Sequence, residues 1–244
     1  MAFRMDWDRG VTGNELTDLL LAYLVLTLAF TWVTHWGGPL PETFMVTSIA
    51  VGTGFILHEL AHKVVAQRFG YFAEFRASLY GLFLTMLTAA LGLVFAAPGA
   101  VVIGRKSAAS PYAYRPDTHR YTREDDRYWE VYDSRTREEL YISISGITTN
   151  LLLVGIFILA LFITPASVAG SEALQRIIYM GIYVNIFLAA FNLLPFGPLD
   201  GAKVLRSSAV VFAVLAVTAF GLFAWFCLAP QHIIDLFYVA FVGV

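Results

Sequence analysis

The chain has 244 residues, of which 58% are hydrophobic and only 14% are charged, and its mean hydropathy is +0.68. Soluble domains are usually about 45–50% apolar and about 25% charged, so the composition excludes an ordinary soluble enzyme and indicates a multi-pass membrane protein. The formal net charge of −2 gives no sign of a nucleic-acid partner. The length suits one membrane-embedded domain over residues 1–244, and the lone Cys227 cannot form an internal disulfide.

Several apolar segments are long enough to cross a bilayer, which takes roughly 20 helical residues each. They are residues 19–36, 44–65, 147–163, 177–194 and 209–228. A further apolar run at 80–103 is broken by glycines and a proline, and the apolar tail at 233–244 is only 12 residues long. The pattern predicts an all-α polytopic membrane protein, a bundle of five to six transmembrane helices with a small cytosolic loop.

The 16 basic residues indicate how the run at 80–103 is arranged. If this run crossed the membrane, the two sides would carry six and ten basic residues; if it entered and returned, they would carry fifteen and one. Because cytoplasmic loops are rich in Lys and Arg, the second arrangement is favoured. We therefore predict a re-entrant hairpin at 80–103 and a cytoplasmic N-terminus. Irregular backbone at this depth needs cover from protein or water, so we expect the hairpin to pack on the functional site.

Two polar stretches carry weaker signals. The cytosolic loop at 104–140 has eight basic and eight acidic residues. Its residues 128–132, followed by a turn at 133–136, indicate a short strand, so this loop is either a solvated connector or a lid over the cytosolic mouth. Residues 72–78 alternate between apolar and polar side chains, which suits either an interfacial connector or a strand edge to which an extended substrate adds.

The sequence His58-Glu59-Leu60-Ala61-His62 follows an uncharged run at 44–57. Histidines at i and i+4 share one helix face and can bind one zinc ion, with Glu59 beside them as a general base. The simpler alternatives are a Glu59–Lys63 pair and hydrogen-bonded core histidines. A charge deep in a bilayer costs about 2.5–3.5 kcal/mol, whereas a structural zinc returns about 10–16 kcal/mol on binding. A metal site therefore explains the cluster better.

A catalytic zinc usually has three protein ligands and one open position for water, so a third ligand must come from elsewhere. Asp200 is the strongest candidate, because it lies beside a helix break at 192–201 that contains two prolines and two glycines. A lone carboxylate at such a break is a functional candidate, although a helix-terminal Asp facing water is the simpler alternative. His35, His119 and His232 are expected to be surface residues.

Two motifs together resemble the site-2 protease family of intramembrane zinc metalloproteases. They are His58-Glu59-x-x-His62 and Asn192-x-x-Pro195-x-x-x-Leu199-Asp200-Gly201, and the resemblance covers roughly residues 44–206. The segment 145–150 stands at the place of the family's Ala-Gly-Pro-x-x-Asn motif. Gly146 and Asn150 match that motif, and Ile147 replaces its proline.

The resemblance implies an enzyme that cleaves the transmembrane segments of other membrane proteins, as in regulated intramembrane proteolysis. It implies one zinc ion per chain, held by His58, His62 and Asp200, and a zinc-bound water activated by Glu59. It further implies that Asn192 contacts the substrate backbone, and Asn150 is a second candidate for substrate binding. The substrate must unwind locally in the bilayer, since helical peptide bonds are shielded by their own hydrogen bonds. Compact size favours a prokaryotic cell membrane, and the oligomeric state stays open.

Two alternatives compete with this interpretation. A prenyl-protein-processing zinc protease would draw its third ligand from a downstream helical glutamate, but the acids after residue 147 are Glu172, Asp200 and Asp235, and they form no such motif. A non-proteolytic zinc-binding protein, either a transporter or an inactive scaffold, is the other. A transporter would normally show broken helices in two related halves, and an inactive relative would usually lack the base, yet Glu59 is present.

Overall fold

The computed structural model describes residues 11–35, 39–106, 129–130, 137–164 and 172–228. Its α-helices, in chain order, are α1 (Glu15–Val33), α2 (Leu40–Val51), α3 (Leu57–Arg68), α4 (Leu79–Ala90), α5 (Arg137–Ile163), α6 (Glu172–Asn192), α7 (Asp200–Ser207) and α8 (Ala209–Leu228). Its strands are β1 (Phe72–Ala77), β2 (Gly99–Lys106) and β3 (Trp129–Glu130). A five-residue π-helical turn, Gly52–Ile56, joins α2 to α3.

The expectation of a helical membrane protein is confirmed, because the described residues include five helices that are long and apolar enough to span a bilayer. These are Glu15–Val33, Leu40–Arg68, Arg137–Ile163, Ala173–Asn192 and Ala209–Leu228. α5 begins ten residues before the predicted apolar segment, because its first turns carry charged and polar side chains that still suit a helix. The tail at 233–244 lies outside the described residues.

The run at 80–103 forms a hairpin with one helical limb and one extended limb. α4 has 12 residues, which makes it about 18 Å long and too short for a hydrocarbon core of about 30 Å. The Ser78 side chain caps its N-terminus by accepting the N–H of Gly81 at 3.1 Å. The returning chain meets this start, since the backbone N–H of Ser78 donates to Pro98 O at 2.8 Å. The two ends of the hairpin therefore lie side by side, which is the shape that a re-entrant segment needs; the side of the membrane on which they lie stays a prediction.

The sheet is antiparallel and has the order β1-β2-β3. β1 pairs with β2 from Phe72↔Gly104 to Ala77↔Gly99. Residues 72–77 are therefore a strand rather than a plain connector, and Ser78 is the N-cap of α4. β3 confirms a short strand at Trp129 and Glu130, within the loop at 104–140. The rest of 128–136 lies outside the described residues, so the lid and the cytosolic location of this loop stay predictions.

The interior of the bundle is built from aromatic, aliphatic and small side chains. The Phe30 ring makes edge-on contacts with Tyr183 and Phe187, so α1 packs on α6. On the other side of α6, Gly181 lets the Phe157 ring of α5 approach, because a Cβ there would overlap the ring. Close contacts of this kind matter in a membrane, because lipid is as apolar as the protein interior and the hydrophobic effect does not drive helices together. Helices associate there largely through close packing.

Candidate metal centre

The metal-binding face of α3 follows directly on the π-helical turn Gly52–Ile56. A π turn places one extra residue in a helix turn and is frequent at functional sites. Gly54 lies against α6, where a Cβ would come within 3.0 Å of Leu188 Cδ1 and 3.3 Å of Asn185 Oδ1. The absence of a side chain at Gly54 therefore lets α6 support the helix from which His58 and His62 project.

Both motif histidines are buried, with 3% of His58 and 6% of His62 exposed. Their Nε2 atoms are 3.0 Å apart. His58 Nδ1 lies 2.5 Å from Asn150 Oδ1, and His62 Nδ1 lies 2.7 Å from the backbone oxygen of Ile142. Since carbonyl oxygens only accept hydrogen bonds, each Nδ1 carries the proton. Each neutral imidazole then presents the lone pair of Nε2 to its neighbour.

Asp200 reaches the same point from the first residue of α7. Its Oδ2 lies 2.9 Å from His62 Nε2 and 3.4 Å from His58 Nε2. Its other oxygen, Oδ1, accepts a hydrogen bond from Lys203 Nζ at 3.1 Å. The neighbouring Gly201 allows this approach, because a Cβ there would overlap the backbone of Leu193. The structure thus brings together the three residues that the sequence singles out.

The geometry and chemistry of these three atoms fit zinc. In a tetrahedral site with bonds of about 2.0–2.1 Å, the ligand atoms are about 3.3 Å apart, and the three separations here are 3.0, 2.9 and 3.4 Å. Three acceptor atoms facing one another in a buried place repel unless a cation lies between them. Two imidazoles and one carboxylate also leave a fourth position open, as in catalytic zinc sites.

A cavity of about 490 Å³ opens beside these atoms. Glu59 and Asn192 line it together with the three candidate ligands, so the structure brings both residues to the place that the sequence predicts. Residues of β2 also line the cavity, as do two cations of α7, Lys203 and Arg206. The hairpin therefore covers the site, as expected.

The segment 145–150 lies within α5, which runs without a break from Arg137 to Ile163. Ile147, where the family motif has proline, is fully buried and packs against α6. Asn150 is also fully buried, and its side chain lies behind His58 rather than among the residues that line the cavity. This placement does not favour a direct contact between Asn150 and substrate.

Some residues of the centre are missing from the sequence prediction. The carbonyl of Ile142 acts through the backbone, so no side-chain signal identifies it. Asn185 is fully buried beside Asn150. It is one of two asparagines within the apolar segment 177–194, and a polar side chain in the middle of that segment is the signal that could have revealed it. Of the remaining histidines, His35 follows α1 and is half-buried, while positions 119 and 232 lie outside the described residues.

A helical membrane protein with a buried His/His/carboxylate set beside a glutamate has the features of a membrane metalloprotease. Comparison with known proteins identifies the family. Residues 164–219 match the family model of Peptidase family M50. The chain is also 34% identical, over 211 residues, to a Methanocaldococcus jannaschii protein named "Putative zinc metalloprotease MJ0611", a match that covers 85% of this chain and 92% of the relative.

The chain therefore belongs to Peptidase family M50, the site-2 protease family, and the resemblance seen in the two motifs is confirmed. The family-model match contains Asn192 and Asp200, and the longer match extends the likeness over most of the chain. No solved structure gives a significant match.

Proposed function

We propose that this protein is an intramembrane zinc endopeptidase that cleaves transmembrane segments of other membrane proteins. The observation that carries the proposal is the meeting of His58 Nε2, His62 Nε2 and Asp200 Oδ2 beside Glu59, at a cavity within a bundle of helices that can span a membrane. Cleavage of such substrates releases the part of the protein attached to the cut segment, which suits regulated intramembrane proteolysis.

His58, His62 and Asp200 would hold one zinc ion per chain, which would supply Lewis-acid activation of a substrate carbonyl and of water. Glu59 follows His58 on α3 and faces the same cavity. Its carboxylate takes a proton from the attacking water and delivers it to the amine that leaves. The cavity admits the water that this reaction consumes.

Asn192 positions the substrate backbone. Its side chain lines the cavity at the C-terminal end of α6, and its Nδ2 donates to Leu188 O at 3.0 Å. This contact fixes the amide and leaves one N–H and the carbonyl oxygen for a substrate. An amide held in this way can pair with a peptide group or with the charge that develops on the attacked carbonyl.

The unwound substrate adds to β2 and not to the stretch at 72–78 that the sequence indicates. The outer edge of β1 is already occupied, because the N–H of Phe75 donates to Glu15 Oε1 and the N–H of Ala77 donates to Asp18 Oδ2, both at 3.1 Å. Among the described residues, by contrast, only β1 pairs with the cavity-lining part of β2. Main-chain hydrogen bonds to its second edge would hold an extended peptide beside the metal centre.

The test is cleavage by purified protein in detergent, with a single-span membrane protein as substrate. Wild-type protein should cut within the apolar segment, a metal chelator should stop the reaction, and added zinc should restore it. Glu59→Gln should lose cleavage at least about 100-fold, because a general base contributes about 10²–10⁴ in rate, and it should still bind one zinc ion. Asp200→Ala should lose the zinc.

The outcomes separate the proposal from its alternatives. A wild-type protein that binds zinc at these residues but cuts none of a panel of single-span substrates would be the non-proteolytic zinc-binding protein. A Glu59→Gln variant that cuts as fast as wild type would rule out Glu59 as the base.

A further inference from the structure

Two asparagine side chains are buried in the apolar interior behind the metal centre. Asn150 on α5 and Asn185 on α6 are both 0% exposed. A polar side chain in such a place is costly unless its hydrogen bonds are made, and within a membrane bundle it marks a functional role by default. The proposed mechanism gives Asn185 no task and leaves Asn150 outside the cavity.

The two amides form one directed chain of hydrogen bonds that ends on a metal-facing histidine. Asn185 Nδ2 donates to Gly181 O at 2.8 Å, which turns its Oδ1 towards Asn150. Asn150 Nδ2 donates to that Oδ1 at 3.0 Å and to Gly54 O at 3.2 Å. The Oδ1 of Asn150 therefore faces His58 Nδ1, at 2.5 Å.

The direction of every bond follows from the chemistry of the groups. A backbone carbonyl cannot donate, so Gly181 fixes the orientation of the Asn185 amide, and Asn185 with Gly54 fixes that of Asn150. Asn150 can then only accept from His58. The proton of His58 is held on Nδ1, and the lone pair of Nε2 stays directed at Asp200 and His62.

We propose that Asn150 and Asn185, which we call the amide relay, are positioning residues that set the tautomer and the ring orientation of His58 for zinc. The relay acts through His58 and contacts no substrate. It also fixes the π-helical turn before the motif, because Asn150 holds the carbonyl of Gly54. His62 does not depend on it, since its Nδ1 is held by the backbone oxygen of Ile142.

The inference rests on the metal-binding part of the proposed function and not on proteolysis, so zinc affinity is its test. The zinc dissociation constant of purified full-length protein is measured in detergent by competition with a chromogenic chelator. Outer partners of zinc ligands typically change metal affinity about 10–100-fold when removed, so Asn150→Leu should weaken zinc binding by about that factor. Asn185→Leu should weaken it less, about threefold to tenfold on the same scale.

Two further variants distinguish a positioning role from a structural one. Asn150→Asp keeps an acceptor for His58 Nδ1–H but loses the Nδ2 donor to Gly54 O and Asn185 Oδ1, so its zinc affinity should lie between those of wild type and Asn150→Leu. The change Asn185→Leu should have no further effect on zinc affinity once Asn150 is Leu, because the two residues act in series. Asn192→Leu is the matched control: it alters an asparagine in the cavity, and its zinc affinity should equal that of wild type.

Three results would overturn the relay. One is wild-type zinc affinity in a folded Asn150→Leu variant. Another is an Asn150→Asp variant that binds zinc as weakly as Asn150→Leu. The third is an effect of Asn185→Leu that simply adds to that of Asn150→Leu. If Asn150→Leu does not fold, the zinc affinities of Asn150→Asp and Asn185→Leu test the relay, and wild-type affinity in Asn185→Leu would overturn it. A protein that cuts no substrate and still shows these affinity changes would keep the relay and refute only the proteolytic proposal.

Discussion

Gly146 lies so close to His58 that a Cβ on the glycine would stand 2.6 Å from His58 Nε2, and it would be closer still to His62 Nε2. The two Nε2 atoms are themselves 3.0 Å apart. A methyl group at this position would therefore enter the space towards which both lone pairs point. The glycine lets α5 pack directly on the histidine face of α3 while leaving room for an ion.

This contact makes Gly146→Ala a test of where the metal binds. The variant should lose zinc and all cleavage, while its helix should be no less stable, because Ala exceeds Gly in helix propensity by about 1 kcal/mol. Gly155→Ala is the matched control on the same helix, since nothing lies within 4 Å of a Cβ there. Zinc content per chain is measured by atomic absorption. One zinc ion per chain in Gly146→Ala would show that the metal site lies elsewhere.

The histidine pair and Asp200 could be predicted from the sequence because each carries a local signal. An i, i+4 spacing places two side chains on one helix face, and a charge beside prolines in an apolar chain stands out. The space provided by Gly146 carries no such signal. The need for a glycine at position 146 comes from two imidazoles on another helix. Only the packing of α5 on α3 reveals this need.

Asp18 shows a second limit of sequence reading. It is fully buried and accepts hydrogen bonds from the N–H groups of Val11, Thr12 and Ala77 and from the Thr12 hydroxyl, at 2.7–3.2 Å. A carboxylate near the start of an apolar helix reads as an ordinary helix-terminal acid. Its hydrogen bond to β1 joins residues 59 positions apart. The local sequence around neither residue predicts this contact.

Replacing Asp18 should therefore destabilise the fold. Hydrogen bonds to charged groups contribute about 1.5–3 kcal/mol, so Asp18→Ala should lower the free energy of unfolding by about 2–3 kcal/mol. The matched control is Glu42→Ala, whose exposed pair with Arg176 at 3.2 Å should contribute less than about 1 kcal/mol. Thermal unfolding in detergent compares the two variants. Equal midpoints would mean that the buried carboxylate gives β1 no support.

The predicted topology can be tested with single cysteines in a Cys227→Ser background. If 80–103 is re-entrant and the N-terminus is cytoplasmic, Ser110→Cys and Arg120→Cys should resist a membrane-impermeant maleimide in intact cells and react after permeabilisation. Ser167→Cys, between α5 and α6, should react in intact cells because it follows the next crossing. Labelling of position 110 or 120 from outside would reverse the arrangement that the basic residues predict.

The last prediction concerns substrate binding at the second edge of β2, where no described strand pairs with residues 99–104. Since the N–H groups of Phe75 and Ala77 point away from β2, the register Phe75↔Val101 directs the Val101 N–H away from β1 as well. Val101→Pro removes that N–H without breaking the ladder to β1, because proline is tolerated at a strand edge. The variant should bind zinc normally and show a KM for a transmembrane substrate raised about tenfold, which corresponds to the loss of one hydrogen bond of about 1.4 kcal/mol.

Val101→Ala keeps the N–H and should cleave like wild type. If Val101→Ala and Val101→Pro share the same KM, the substrate does not pair with this edge, and the cavity must hold it by side-chain contacts such as those of Asn192.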